Sequence, residues 1–134
     1  MALYASLKFG NNELGLYDRS YKLITVRNSF ARKAEGFFAD TVCRCSNISV
    51  VLQTPDKSDL FLYDWFISGS SFSGCIEMEE IQEDCELHRR LVKFEDARCH
   101  LICESFDSSL KRHPLTRLEF IPLEVDTEEI KVGA

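Results

Sequence analysis

Six cysteines, three histidines and a run of carboxylates are the side chains in this sequence whose types could support chemistry. Cys43, Cys45, Cys75, Cys85, Cys99 and Cys103 form an even set. Such a set suits disulfides in an oxidising compartment; in a reducing one it points to metal ligation or plain packing. Structural zinc sites usually repeat a short C-x-x-C spacing twice. Here the pairs are Cys43-Arg-Cys45 and Cys99-His-Leu-Ile-Cys103. Residues two or four apart share a strand face, so each pair could converge, yet neither spacing is a zinc knuckle. Reduced, packed thiols are the favoured reading, because free cysteine behaves as a small hydrophobe. His88, His100 and His113 are scattered. Cys99 and His100 are strand neighbours, so they cannot both face inward.

The other candidates thin out in the same way. Glu77, Glu79, Glu80, Glu83, Asp84 and Glu86 are acidic enough for calcium, but a calcium loop needs its oxygens on a tight turn with glycine. A solvated or partner-facing acidic patch is the better reading. The segment Gly69 to Gly74, GSSFSG, lacks the G-x-S-x-G spacing of a nucleophile elbow and follows a helix rather than a strand. It reads as a small-residue loop. Asn47-Ile48-Ser49 matches a glycosylation acceptor by chance, within a strand. There is no P-loop and no dinucleotide fingerprint. These patterns call for no catalytic residue, no metal and no cofactor. Arg27, Arg32 and Lys33 form a small basic cluster near Phe30 and Phe37, too little positive charge for nucleic acid and better suited to a protein contact.

The elements that must carry these residues are mostly strands. The 134 residues are 45% hydrophobic, with a net charge of −6, which fits one domain with a real core. Residues 1–67 carry a net charge of +1 and residues 68–134 a net charge of −7. That imbalance disfavours nucleic acid and anionic membrane as partners. No apolar run reaches a membrane span, and the N-terminus lacks the pattern of a signal peptide, so the chain is expected to fold in the cytoplasm. Leu3, Ala5, Leu7 and Phe9 alternate as a half-buried strand. Further strands are predicted over 21–32, 42–53, 75–82, 89–106 (one long strand, or two joined at a bend near Glu95-Asp96) and 115–125. Residues 33–41 read as a loop, with Phe37 and Phe38 in it, and the last few residues as loose. Asp56 or Ser58 starts a helix that Gly69 ends. That helix is apolar nearly all round, through Leu60, Phe61, Leu62, Tyr63, Trp65, Phe66 and Ile67. A short helix of this kind needs cover on more than one side, which suggests a subunit interface.

Three segments together, LKFGNNELGLYDRSYKL, LYDWFISGSSFSG and the terminal LEFIPLEVD, resemble the Bacteroidetes branch of type VI secretion tube proteins, called TssD or Hcp. The resemblance runs nearly end to end. It implies a mainly β fold, a compact barrel of two packed sheets with one central helix, like a phage tail tube. It implies homohexameric rings stacked into a hollow tube, which a contractile sheath expels from the cell. The implied partners are sheath, spike and baseplate proteins and effectors in the lumen. It also assigns places to the odd features. Phe61, Leu62, Trp65 and Phe66 would face a neighbouring subunit. Lys33, Phe37, Phe38 and Asp40 would lie on the extended loop that reaches the next ring. Glu79, Glu80 and Glu83 would form an acidic stacking patch. Part of the Cys43–Gln53 alternate face and the terminal hairpin would line the lumen. The rivals are a monomeric ligand-binding barrel lined by Phe9, Phe94, Phe106 and Phe120, a zinc adaptor built on Cys43, Cys45, Cys99 and Cys103, and the tube of an extracellular contractile device.

Overall fold

In the computed structural model of the chain, residues 2–35, 38–81, 87–106, 109 and 113–132 are described. Side chains are described at all of these except 2–3, 29–35, 38–46, 81 and 129–132. Seven strands and one helix run in the order β1 (Ala2–Asn11), β2 (Leu16–Glu35), β3 (Phe38–Gln53), α1 (Phe61–Ser68), β4 (Ser71–Ile81), β5 (Leu87–Ser105), β6 (Leu115–Ile121) and β7 (Glu124–Val132). All the pairings are antiparallel. The sheet order is β4-β1-β2-β3-β6-β5-β7, and a further β4–β5 pairing closes six of the strands into a barrel. Closure removes the edges that an open sheet would leave exposed.

The period-2 pattern seen in the sequence now has a destination. Leu7 and Phe9 from β1, Ile48, Val50 and Leu52 from β3, Ile76 from β4, Val92 and Phe94 from β5, and Leu118 and Phe120 from β6 all point inward and are buried. Helix α1 lies across one end of the barrel and adds Leu62 and Trp65 to the same core. Phe9 meets Phe61, Trp65, Tyr21 and Phe94 edge-on, with centroids 5.0 to 6.2 Å apart. Phe120 stacks at a tilt on Trp65 and Phe94. Edge-to-face geometry places the positive ring edge on the negative face, which adds to the burial of these rings. The Trp65 indole N–H donates to the Ala97 carbonyl at 3.1 Å, so its one polar atom is satisfied inside the core.

Several elements differ from the sequence expectation. Residues 33–35 and 38–41 are strand, not loop: β2 and β3 pair as far as Ala34↔Ala39 and Glu35↔Phe38. The serine-rich stretch after the helix is strand as well, since β4 begins at Ser71. Gly74 is needed there because a Cβ would collide with the Lys8 carbonyl across the β1–β4 pair. Residues 124–132, read from sequence partly as loose, form a further strand, and 133 and 134 lie outside the described residues. β7 runs to Val132 and pairs with Leu87, because the chain turns at Pro122 and continues along β5. The helix starts later than expected, at Phe61; residues 56–59 form a turn closed by the Asp59 N–H on the Asp56 carbonyl. Gly69 ends it at φ +66°, as expected of a left-handed C-cap. Of the two readings of 89–106, the single strand holds: β5 runs unbroken from Leu87 to Ser105, with Asp96 at φ +51° within it.

Candidate assembly surfaces

Chemistry is not concentrated anywhere on this barrel. The thiols point apart. A bulge between Cys99 and Leu101 shifts the register of β5 against β6, so Cys99 is buried in the core while Cys103 is exposed. The four-residue spacing therefore does not converge, and the zinc reading loses one of its two pairs. Burial pushes the Cys99 thiol up to about 11 and also raises Cys75, so both stay neutral thiols. Among the described residues no cluster of His, Cys, Asp and Glu is arranged to hold a metal ion. Phe9, Phe94 and Phe120, offered as a ligand pocket, are already packed on one another and on Trp65. Phe106, the fourth, is 72% exposed on the surface.

What the barrel offers instead is surfaces. The first is a ribbon. β2 continues for twelve residues beyond Leu23, the last with a β1 partner, and β3 has no β6 partner before Ile48. Among the described residues the distal parts of these two strands pair only with each other. Residues 27–44 carry four basic and two acidic side chains. An isolated two-stranded ribbon is marginal in water, so it gains from a second surface to lie on.

The second surface is a groove of about 340 Å³ at the helix end of the barrel. Leu62, Ile102 and Thr116 form its floor, and Leu60 and Phe106 flank it. Thr116, buried and polar, is satisfied by Thr54 Oγ1 at 2.8 Å. Asp56, Lys57, Asp59 and Glu104 sit at the rim. Asp59 is engaged locally, accepting from Tyr21 Oη at 2.9 Å and lying 3.4 Å from Arg19. Glu104 hydrogen-bonds the Tyr63 hydroxyl, which with some burial pushes that phenol up to about 12.

The third surface is the outer face of β1, β4 and β5. Here Glu77 lies between Lys8 Nζ at 2.7 Å and Arg89 Nε at 3.0 Å, and Arg89 also reaches Glu79 at 3.0 Å. The Arg89 Nε–Glu77 contact has ion-pair distance but not hydrogen-bond alignment. Burial works to raise the Glu77 carboxyl; the Lys8 contact, Glu79 and Arg89 outweigh it and hold the group below its ordinary value. On the outer face of β3 and β6, Asn47 bonds His100 at 2.9 Å and Glu119 at 3.0 Å, with Arg117 3.4 Å from Glu119.

No protein-family model and no curated protein matches the sequence. Solved structures do match its fold. A crystal structure of an Hcp protein superposes with a TM-score of 0.70 at 13% identity, covering 98% of both chains. Hcp1 from Flavobacterium johnsoniae gives 0.63 at 15% identity, over 98% of this chain and 99% of that one. The chain has the Hcp fold. A chain in the baseplate of the anti-feeding prophage shares it, with a TM-score of 0.58 at 10% identity over 96% and 94%.

Within this Hcp fold the residues singled out from sequence fall in distinct places. Leu62 and Trp65 are 2% and 0% exposed, so they hold α1 to its own barrel and cannot touch a neighbour. Phe61 is half-buried against Phe9 and Phe72. Phe66 is exposed, as are Leu60 and Ile67, which the interface expectation had left out. Lys33, Phe38 and Asp40 lie on the distal ribbon, where only the backbone is described; Phe37 is outside the described residues. Glu79 is paired with Arg89 rather than free, Glu80 is half-buried, and Glu83 is outside the described residues. Ile81, at the end of β4, pairs with Ala2 at the start of β1, which is the end from which the ribbon extends. The two expected stacking elements therefore share one end of the barrel. Sequence reasoning missed the groove because its walls, Leu60 and Phe106, are far apart in the chain. It also missed Asn12, whose amide donates to the Gly74 and Phe94 carbonyls and to Glu95, pinning the β1–β2 turn across the β4–β5 bulge.

Proposed function

We propose that this chain is the tube subunit of a Bacteroidetes-type type VI secretion system. Six copies close a ring, and rings stack head to tail into a hollow tube. The observation that carries this reading is the polarity of an Hcp-fold barrel, with a projecting ribbon at one end and an uncovered apolar helix flank at the other. Two different faces meeting make a heterologous contact, which propagates as an open filament. The function is geometric and needs no covalent step. Lateral contacts use the exposed helix positions Phe66 and Ile67. They also use β7, which among the described residues pairs on one side only and so offers a strand edge. The polar outer faces of β3 and β6 suit a water-filled lumen. Assembly takes place in the cytoplasm; sheath, spike and baseplate proteins are the partners, effectors are the cargo, and the tube leaves the cell through the apparatus. No helix among the described residues is long and apolar enough to cross a membrane.

Native mass spectrometry with negative-stain imaging tests this. Annular particles of six copies with a central hole are the expected result, and a chain that stays monomeric at all concentrations refutes it. A second reading, the tube of an extracellular contractile device, is favoured by the likeness to the anti-feeding prophage baseplate chain. Neighbouring genes separate the two: membrane-complex components beside this gene support type VI secretion, and their absence with a complete device operon supports the other.

A further inference from the structure

Independently of the tube reading, we propose that the groove between α1 and the β5–β6 end is a binding site for a small apolar organic cation, an aryl- or alkyl-ammonium compound. Two observations carry this. The first is the shape and lining of the groove. Its volume of about 340 Å³ lies at the low end of what small ligands occupy. Leu60, Leu62, Ile102 and Phe106 supply its hydrocarbon, and Phe106 leaves 72% of its surface open to water. An apolar body entering the groove displaces that water. The backbone behind it is fixed, since the Thr54 N–H donates to the Pro114 carbonyl at 2.9 Å. The Thr54 and Thr116 hydroxyls satisfy each other at 2.8 Å, so the floor asks for no polar atom from a ligand.

The second observation is the charge at the rim. Glu77, Glu79, Glu119, Glu128 and Asp59 each pair with a lysine or arginine. Asp56 and Glu104, both on the groove rim, pair with no cation among the described residues. Both are held locally. The Tyr63 hydroxyl bonds Glu104, and the Ser58 N–H donates to Asp56 Oδ1 at 3.3 Å. Each carboxylate keeps acceptor capacity for an ammonium N–H, and such charge-assisted bonds are the stronger kind. Lys57 is the one cation of the lining, so the rim stays net negative. Tyr63 and Phe106 add ring faces, which also attract cations. An anion is repelled by this rim, and a neutral ligand leaves its charge unused. The depression of about 230 Å³ beside Asn12, Glu95, Glu124 and Asp126 is acidic too, but Val125 is its only apolar side chain. It lacks the hydrocarbon to hold the ligand's body.

The test uses the full chain and three probes of similar shape: phenethylammonium, phenethyl alcohol and hydrocinnamate. Isothermal titration and saturation-transfer NMR read their binding. The ammonium is expected to bind saturably with a Kd of about 1 mM or below. The alcohol should bind about threefold or more weaker, and the anion weaker still. Glu104→Gln and Asp56→Asn should each weaken the ammonium about threefold and leave the alcohol unchanged. A general loss of structure would weaken both. Phe106→Ala should weaken ammonium and alcohol alike, and the fold tolerates it because the side chain is exposed. Raising salt from about 0.05 M to about 0.5 M should weaken the ammonium alone. Equal affinity for ammonium and alcohol overturns the proposal, as do Glu104 and Asp56 variants that bind like wild type. Loss of ammonium binding in Glu124→Gln instead moves the site elsewhere and overturns it too. So does an ammonium that shows no saturable binding. Each of these outcomes leaves the tube reading as it stands.

Discussion

At the scale of single residues, environment decides what each reactive group can do. Cys75 and Cys99 are buried and their thiols are raised, so little thiolate, the reactive form, is present near neutrality. Cys103 is exposed on the outer face of β5. Iodoacetamide at pH 8 is expected to modify Cys103 well before Cys75 or Cys99, with the two buried thiols reacting only after denaturation. Peptide mass spectrometry reads this directly. Glu77 gives a pH prediction. Its carboxyl is held below the ordinary 4.5, so its ion pairs stabilise the fold above that pH. The contribution is lost as pH falls through the lowered value. Glu77→Gln should lower the melting temperature near neutrality and flatten the acid limb below pH 4.5. A variant with the wild-type acid limb would show that the pairs with Lys8 and Arg89 contribute nothing to stability.

At the scale of elements, α1 has two different faces, one buried in the barrel and one exposed. Trp65 is wholly buried and touches Phe9, Phe72 and Phe120. Trp65→Ala is expected to cost about 3–5 kcal/mol in urea unfolding, as large-to-small changes in aromatic cores do. Phe66 is exposed, so Phe66→Ser should stay within about 0.5 kcal/mol of wild type as a folded monomer while dissociating the ring on sizing chromatography. A hexamer that survives Phe66→Ser removes this residue from the interface. The contrast separates folding from assembly, which the amphipathic reading of the helix alone had merged. The Cys99–Leu101 bulge makes the same point for strands. One extra residue rotates the following side chains to the opposite face, so a spacing of four no longer means a shared face.

At the scale of the whole molecule, the proposed tube joins unlike ends of the barrel, which gives it polarity. In that tube, polar axial contacts should be more salt-sensitive than apolar lateral ones. At about 1 M salt, where screening shortens to about 3 Å, stacks are expected to fall apart into intact rings. Light scattering and native mass would follow the change, and rings dissociating before stacks would reverse the assignment of the two contacts. The alternation of Leu7 and Phe9, of Ile48, Val50 and Leu52, and of Leu118 and Phe120 was enough by itself to place strands along β1, β3 and β6, and turn chemistry marked the end of the single helix at Gly69, because local periodicity and turn chemistry act over a few residues. The apolar excess of α1 also announced a surface to be covered. The tertiary structure alone decided which helix residues the barrel consumes, that residues 33–35 and 38–41 pair as a ribbon, and that β7 runs along β5 to Val132. It alone brought Leu60 beside Phe106 and set the ribbon and the acidic run at one end of the barrel. These are outcomes of register, bulges and closure between segments distant in the chain, and no local pattern encodes them.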